Sequence, residues 1–146
     1  MSDAELLRLY SGRILALAAD IPNLGRLSAP EASATRRSPL CGSTVTVDVA
    51  TEGGRIAAFA QEVRACALGQ AAAAVVGAAA PGLTRAEVES GRDALRAMLA
   101  GGPPPVGPFA AFEALLPARD HRNRHASVLL SIEALADAME RAATPA

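Results

Sequence analysis

The stretch from residue 43 to residue 64 constrains the fold of this chain more than any other part of the sequence. In the segment STVTVDVAT, at 43–51, valines alternate with threonine or aspartate, which is the pattern of a strand with one buried face. An EGG turn follows at 52–54, and we interpret RIAAFAQEVR, at 55–64, as a second strand. The two segments predict an antiparallel hairpin with Asp48 on its polar face.

Helical patterns lie on both sides of this hairpin. Apolar residues recur at helical spacing over 3–20, where Ser2 or Asp3 can cap the first turn. A short edge strand is predicted near 32–36. Further helices are predicted over 66–80, over 85–100 behind a Thr84–Glu87 capping box, over 108–116 and over 122–143. We therefore predict an α+β fold in a single domain, 1–146, with an N-terminal helix, a small antiparallel sheet of about three strands and a helical C-terminal half.

Composition argues against several classes of function. The 14 basic and 15 acidic residues nearly balance, and aromatic side chains are scarce, so the sequence shows no nucleic-acid interface. No apolar run is long enough to span a membrane, and the acidic N-terminus lacks the basic start of a signal peptide. We therefore expect a cytoplasmic protein with reduced thiols. No nucleophile elbow, HExxH or phosphate loop is found, so we expect no enzyme.

Four side chains are candidate metal ligands: Cys41, Cys66, His121 and His125. Cys41 lies in the turn SPLCGS, and Cys66 lies where the second strand passes into a helix. A thiol at a helix N-terminus meets the positive end of the helix dipole, which favours its thiolate. The two histidines are four residues apart, so on a helix they would share a face. Thiolate and imidazole ligands suit zinc, ferrous iron or an iron–sulfur cluster.

Each of these residues also has a purely structural interpretation. A cysteine in an alanine-rich segment, such as Cys66, is commonly a buried hydrophobe. Histidines in the DHRNRH segment are commonly solvated residues at a helix start, and the arginines at 119, 122 and 124 a solvated face. The spacing of the two cysteines matches no compact zinc motif. The residues alone therefore leave both roles open.

The order of these motifs resembles that of the iron–sulfur cluster assembly scaffolds of the IscU/SufU/NifU N-terminal family. SPLCGSTVTVDV is similar to the family's first cysteine turn and the strand after it, and EVRACALGQAAAAVVG to its second cysteine segment. RNRHASVLLSIEAL is similar to the final helix. The opening ELLRLYSGRILALAADIPNLGRL and the short LLPAR segment are similar too, so the resemblance covers essentially the whole chain. It implies a SufE/NifU-like fold.

The resemblance also implies a ligand set, from which this chain departs. The family uses three cysteines and an aspartate, with a histidine beside the third cysteine in one branch. Cys41 and Cys66 match the first two cysteines. His125 matches the histidine or, in an alternative register, the third cysteine. Ser43 stands at the aspartate position, and Ala126 at that of the third cysteine.

What the resemblance implies is a scaffold or carrier that binds Fe²⁺ or an iron–sulfur cluster, with Zn²⁺ as the alternative ion. Its ligands would be Cys41, Cys66 and His125, with Ser43 and His121 as additional candidates. Its partners would be a cysteine desulfurase and acceptor proteins, and a homodimer is one way to complete the ligand set. Two alternatives stay open: a zinc-binding regulatory protein on the same fold, and a metal-free adaptor that no longer builds clusters.

Overall fold

The computed structural model describes residues 10–39 and 42–143. In chain order, its elements are helix α1 (Gly12–Ala18), strands β1 (Ala32–Arg37), β2 (Thr44–Glu52) and β3 (Arg55–Arg64), helices α2 (Ala67–Ala79) and α3 (Arg85–Leu99), a 3-10 segment (Gly107–Asp120), a 3-10 turn (Arg122–Arg124) and helix α4 (His125–Ala143). The predicted α+β architecture is confirmed. The predicted cap at Ser2 or Asp3 lies outside the described residues; Ser11 caps α1.

The three strands form one antiparallel sheet in the order β1-β2-β3. The predicted hairpin is confirmed, with a register shift in β2 between Ala50 and Thr51. Gly53 and Gly54 close it, and their φ angles of 60° and 79° belong to the left-handed region that glycine adopts without steric cost. The edge strand predicted near 32–36 is β1, which pairs with β2 along its full length.

Helix α2 runs through the core of the described structure. Every residue from 71 to 77 is buried, and α2 packs against α1, α4 and the 3-10 segment. Close approach requires small residues: a Cβ on Gly77 would lie 2.7 Å from the Pro22 carbonyl oxygen and 2.9 Å from Gln61 Nε2. The alanine-rich sequence thus lets neighbouring elements pack closely on α2. The last helix, α4, lies against β1 and β2.

Asp48 lies on the polar face of β2, but its side chain is fully buried, and Arg26 and Leu27 of the segment before β1 bond to it. Its carboxylate accepts hydrogen bonds from Arg26 Nε (2.7 Å) and Nη2 (3.0 Å), from the Leu27 amide (3.0 Å) and from Ser33 Oγ (2.6 Å). Burial alone would raise the pKa of Asp48, but the hydrogen bonds from Arg26, Ser33 and Leu27 outweigh burial, and the net pKa is lowered. We refer to these four residues as the Asp48 cluster.

A second buried polar side chain, that of Gln61, ties the sheet to two helices. Its Nε2 donates to the Ala73 carbonyl oxygen of α2 at 2.8 Å, and its Oε1 accepts from Ser131 Oγ of α4 at 2.9 Å. The backbone of Gln61 also bonds to the loop after α1, at Asn23 and Gly25. Gln61 therefore fixes how β3, α2, α4 and that loop are arranged.

The segment predicted as a short helix over 108–116 is a longer 3-10 helix, Gly107–Asp120, with a kink at Phe109. Pro117 lies inside it and has no amide proton to donate, which disfavours a regular α-helix there. The Phe109 and Phe112 rings stack with centroids 5.6 Å apart. Phe109 also rests on Gly91 of α3, where a Cβ would lie 2.3 Å from the ring. This segment therefore packs tightly against α3.

Across the described part of the chain, no helix combines the length and the apolar character needed to cross a membrane.

Candidate metal centre

The first predicted ligand segment connects β1 to β2. Cys41 itself lies outside the described residues, but backbone hydrogen bonds connect the residues before it with those after it. The Ser38 amide donates to the Ser43 carbonyl oxygen at 2.8 Å, and the Gly42 amide donates to the Ser38 carbonyl oxygen at 3.0 Å. These two bonds hold Ser38 close to Gly42 and Ser43 at this end of the sheet.

The sheet register brings this turn to the segment that carries the second cysteine. Thr44, the first residue of β2, pairs with Arg64, the last residue of β3. Cys66 follows Arg64 by two residues. The turn between β1 and β2 and the β3–α2 junction are thus at the same end of the sheet.

Cys66 is the N-cap residue of α2, so its predicted place at a strand-to-helix junction is confirmed. Its backbone is extended (φ −66°, ψ 171°), and its side chain makes no capping hydrogen bond. The residue is half-buried, and its thiol forms no disulfide with any residue that the structure describes. Gln70 holds the first turn, because its amide donates to the Cys66 carbonyl oxygen at 2.9 Å and its Nε2 to the Ala65 carbonyl oxygen at 3.0 Å. The backbone at Cys66 is therefore held by hydrogen bonds, and its thiol is not engaged as a cap.

Helix α2 meets α4 near the predicted histidine ligand. A Cβ on Gly69 would lie 2.7 Å from the Ala65 Cβ and 3.2 Å from the Ser127 carbonyl oxygen. Ser127 is two residues beyond His125. This contact packs the first turn of α2, just after its N-cap Cys66, against the first turn of α4, which begins at His125. The three segments predicted to carry ligands thus come to one region of the fold.

One nitrogen of His125 is already engaged. Nε2 lies 3.0 Å from the Ala118 carbonyl oxygen and 2.9 Å from the Arg119 carbonyl oxygen. Both oxygens are acceptors, so Nε2 carries a proton and Nδ1 holds the lone pair of the neutral ring. Metal-binding histidines commonly donate their other N–H to a backbone carbonyl in this way. Nδ1 is therefore the nitrogen through which His125 can bind a metal.

The two additional candidate ligands lie in different settings. Ser43 is buried just before β2. His121 lies between the 3-10 segment and the 3-10 turn with φ −116° and ψ 76°, outside α4, so the prediction that it shares a helical face with His125 is wrong. The chain makes two short turns here, with Arg124 N donating to the His121 carbonyl oxygen at 2.9 Å, before α4 begins.

Within residues 10–39 and 42–143, no group of three or more histidine, cysteine or carboxylate side chains is arranged to hold a metal ion. Because Cys41 is not among these residues, the set of Cys41, Cys66 and His125 stays a prediction. Beside the Cys41 turn, the Ser38 hydroxyl is buried without a hydrogen-bond partner among the described residues. An open buried hydroxyl is costly and unusual in a purely structural turn.

Arg119 has a role that the sequence did not reveal. Its guanidinium donates to the Met98 carbonyl oxygen at 2.9 Å and to the Gly102 carbonyl oxygen at 2.6 Å, at the C-terminal end of α3. Its own carbonyl accepts from His125. The interpretation of the arginines at 119, 122 and 124 as a solvated face is wrong for Arg119, and also for the half-buried Arg124, which donates to the Tyr10 hydroxyl at 3.2 Å. The one sequence signal for Arg119 was its position just after the LLPA motif.

Solved structures show which class of fold this is. The chain superposes with a TM-score of 0.84 on a protein of Fervidobacterium islandicum described as an iron–sulfur cluster assembly scaffold for the SUF system, at 20% identity, covering 91% of this chain and 98% of that one. A hypothetical protein gives a TM-score of 0.81 at 20% identity, covering 92% and 98%. At these identities, the likeness establishes the fold.

A more similar structure establishes the family. The N-terminal part of a nitrogen-fixing NifU-like protein from Brucella abortus is 43% identical, with a TM-score of 0.91, and the match covers 94% of this chain and 96% of that one. The chain therefore belongs to the family of NifU-like N-terminal domains, which confirms the predicted resemblance. No protein-family model and no curated protein matches the sequence.

Proposed function

We propose that this protein is an iron–sulfur cluster assembly scaffold or carrier, with Fe²⁺ or a cluster as its cargo. The observation that carries the proposal is its 43% identity, over nearly the whole chain, to a NifU-like protein. The shared fold with a SUF scaffold supports it. In this role the protein binds and releases its cargo without catalysing a reaction.

The proposed ligands are Cys41, Cys66 and His125. The supporting observations are the shared sheet end of the Cys41 turn and the Cys66 junction, the contact of Gly69 with Ser127, and the free Nδ1 of His125. Two thiolates and an imidazole can hold zinc with one open position, or one edge of a cluster. The N-terminus of α2 adds a favourable field for the negative charge that such a group brings.

The two departures from the family's ligand set define how this scaffold differs. Ser43 stands where the family has an aspartate, and a serine hydroxyl stays protonated near neutral pH, so it is a much poorer ligand. Ala126 stands where the family has its third cysteine. Of the two remaining thiols, Cys66 at the helix start is the one we propose as the acceptor of sulfur from a cysteine desulfurase. A second subunit or a small thiol would complete the ligand set.

The experiment that tests this proposal measures iron, acid-labile sulfide and zinc per chain after anaerobic purification. Wild type and Cys41→Ala are compared side by side. We expect near-equal amounts of iron and sulfide in wild type and loss of both in the variant. Zinc alone in wild type would favour a zinc-binding protein on the same fold, for which the missing third cysteine is the supporting observation. No metal in wild type would favour the metal-free adaptor.

The histidines provide a matched pair for the same measurement. His125→Ala removes the proposed ligand, whereas His121→Ala removes a half-buried histidine that lies outside α4. We expect a clear loss of iron and sulfide for the first and wild-type content for the second. Equal content in both variants would remove His125 from the proposed ligand set.

A further inference from the structure

A groove lies between the C-terminal end of α3 and the first two turns of α4. It has a volume of about 680 Å³ and is open to solvent along one side. Among its lining residues are three arginines and two leucines: Arg96, Arg119, Arg122, Leu99 and Leu129. We refer to it as the α3–α4 groove.

The charge of this groove differs from that of the chain. The whole sequence has a net charge of −1, whereas the described residues that line the groove carry three guanidinium groups and one carboxylate, that of Asp120. Arg96 is already paired, with Glu133 Oε2 at 2.7 Å. Arg119 neutralises the carbonyl end of α3 by donating to Met98 and Gly102, so that end contributes little negative potential.

Arg122 differs from these two arginines. It is exposed, and its side chain makes no ion pair or hydrogen bond to any residue within 10–39 and 42–143. It lies immediately before α4, a 19-residue helix whose positive end adjoins the groove through His125. The groove thus combines an unengaged cation and a helix N-terminus with an apolar surface made mainly by the half-buried Leu129, next to the nearly buried Leu99.

We propose that the α3–α4 groove docks an extended segment of a partner protein in which acidic and apolar side chains alternate. The acidic side chains would pair with Arg122 and meet the N-terminal end of α4, and the apolar ones would lie on Leu99 and Leu129. Complementary charge of this kind gives specificity and speeds association. His125 lines the groove and is also a proposed metal ligand, so peptide binding is measured on metal-free protein. Its outcome then does not depend on whether the chain carries iron or a cluster.

The probe for this proposal is a fluorescein-labelled peptide of about eight alternating Glu and Leu residues, roughly 26 Å long when extended. Its anisotropy is titrated with the full chain, and a Gln-Leu peptide of the same length is the control ligand. We expect the Glu-Leu peptide to bind at least about tenfold more tightly than the Gln-Leu peptide. Added salt should weaken only the acidic peptide.

Two matched arginine variants locate the interaction. Arg64 is also exposed and unengaged among the described residues but lies on β3, outside the groove. We expect Arg122→Glu to weaken binding of the Glu-Leu peptide at least about tenfold and Arg64→Glu to change it less than about twofold. Asp120→Asn, which removes the one carboxylate of the lining, should strengthen it about two- to fivefold.

Three results would overturn the docking proposal: no binding of the acidic peptide to wild type, equal binding of the Gln-Leu peptide, or equal loss in Arg122→Glu and Arg64→Glu. Unfolding midpoints of the variants are measured in parallel, and wild-type values are expected because neither arginine is engaged. If a glutamate variant is destabilised, Asp120→Asn provides the test. Stronger binding of the Glu-Leu peptide supports the proposal, and unchanged or weaker binding overturns it.

Discussion

Two polar regions of this molecule are built on the same sheet in different ways. In the Asp48 cluster, four hydrogen bonds satisfy the buried carboxylate. At the candidate metal centre, within residues 10–39 and 42–143, the Cys66 thiol makes no capping bond and only Nε2 of His125 is engaged. The Ser38 hydroxyl is buried without a partner among the described residues. Open polar groups cost stability, so their concentration at one place favours a binding role there and a structural role for the Asp48 cluster.

The largest effect on stability is expected from Asp48→Ala. The substitution leaves the donors of Arg26, Ser33 and Leu27 without their shared acceptor, and we expect the free energy of unfolding to fall by about 2–4 kcal/mol. Urea denaturation measures this. Ser33→Ala removes a single donor and should cost about 1 kcal/mol. If Asp48→Ala lowered the free energy of unfolding by less than the single-donor variant Ser33→Ala, this would contradict the structural role of the cluster.

Two glycines of α2 sharpen the comparison, because Gly69 lies at the candidate metal centre and Gly77 lies away from it, beside Gln61. Gly77 contacts Pro22 and Gln61, whereas Gly69 contacts Ala65 and Ser127 next to the candidate centre. Each Gly→Ala substitution gains helix propensity but places a Cβ 2.7 Å from a neighbouring atom. At Gly77 this atom is a backbone oxygen, so we expect the free energy of unfolding to fall by about 1–3 kcal/mol for Gly77→Ala.

The same two variants should separate in metal binding. Gly69→Ala pushes the first turn of α2 away from α4, so we expect less iron per folded chain. Gly77 lies about 12 Å further along the helix than Gly69, because each residue adds about 1.5 Å. Gly77→Ala should therefore leave the iron content unchanged. Iron and sulfide analysis of the folded fractions tests this. Equal iron content in the two variants would show that the Gly69–Ser127 contact does not shape the site.

The decrease of the unfolding free energy at acid pH tests whether the ionised carboxylate of Asp48 stabilises the fold. The pKa of Asp48 is lowered in the folded state, so its ionised form stabilises the fold above the ordinary aspartate pKa of about 4. This contribution is lost as the pH falls through the lowered folded pKa. We therefore expect the unfolding free energy of wild type to fall with pH in this range, and that of Asp48→Asn to change less.

A carboxylate outside the cluster provides the control for this pH series. Glu31 also has a lowered pKa, because the Thr51 amide and hydroxyl donate to it, but it is exposed. Glu31→Gln should flatten the acid slope less than Asp48→Asn does. The reverse order would mean that Asp48 is not the main source of the slope.

The smallest effect is expected from an exposed ion pair between β1 and α4. Arg36 donates to Asp137 through two nitrogens, at 2.6 and 3.1 Å, but both side chains are partly exposed. Asp137→Asn should cost about 0.5 kcal/mol, and salt should reduce that difference. A loss as large as that of Asp48→Ala would contradict the distinction between buried and exposed pairs.

The strands and helices were predictable because their residues repeat with the period of each element. The alternation at 43–51 gave β2, and the Thr84–Glu87 capping box gave the start of α3. The burial of Asp48 was not predictable, since its partners Arg26 and Leu27 come from a segment about 20 residues earlier in the sequence, at separations of 22 and 21. Local periodicity therefore predicts elements and not the loops that cover them.

The candidate site was predictable only in part, for a similar reason. The place of Cys66 at a helix start follows from local sequence. The last helix was predicted from near residue 122, but a 3-10 turn delays the start of α4 until His125, so His121 and His125 do not share a helical face. The bonds of Arg119 to the end of α3 join residues 17 and 21 positions apart, which no local pattern reveals.

The most direct test of the account compares Cys66→Ser with Asp48→Asn after anaerobic purification, by measuring bound iron and sulfide per chain beside the urea midpoint. The account predicts that Cys66→Ser loses most of its iron and sulfide while its midpoint stays close to that of wild type. Asp48→Asn should lower the midpoint and keep the iron and sulfide of the folded fraction. Wild-type iron content in Cys66→Ser would contradict the assignment of the cargo to this end of the sheet.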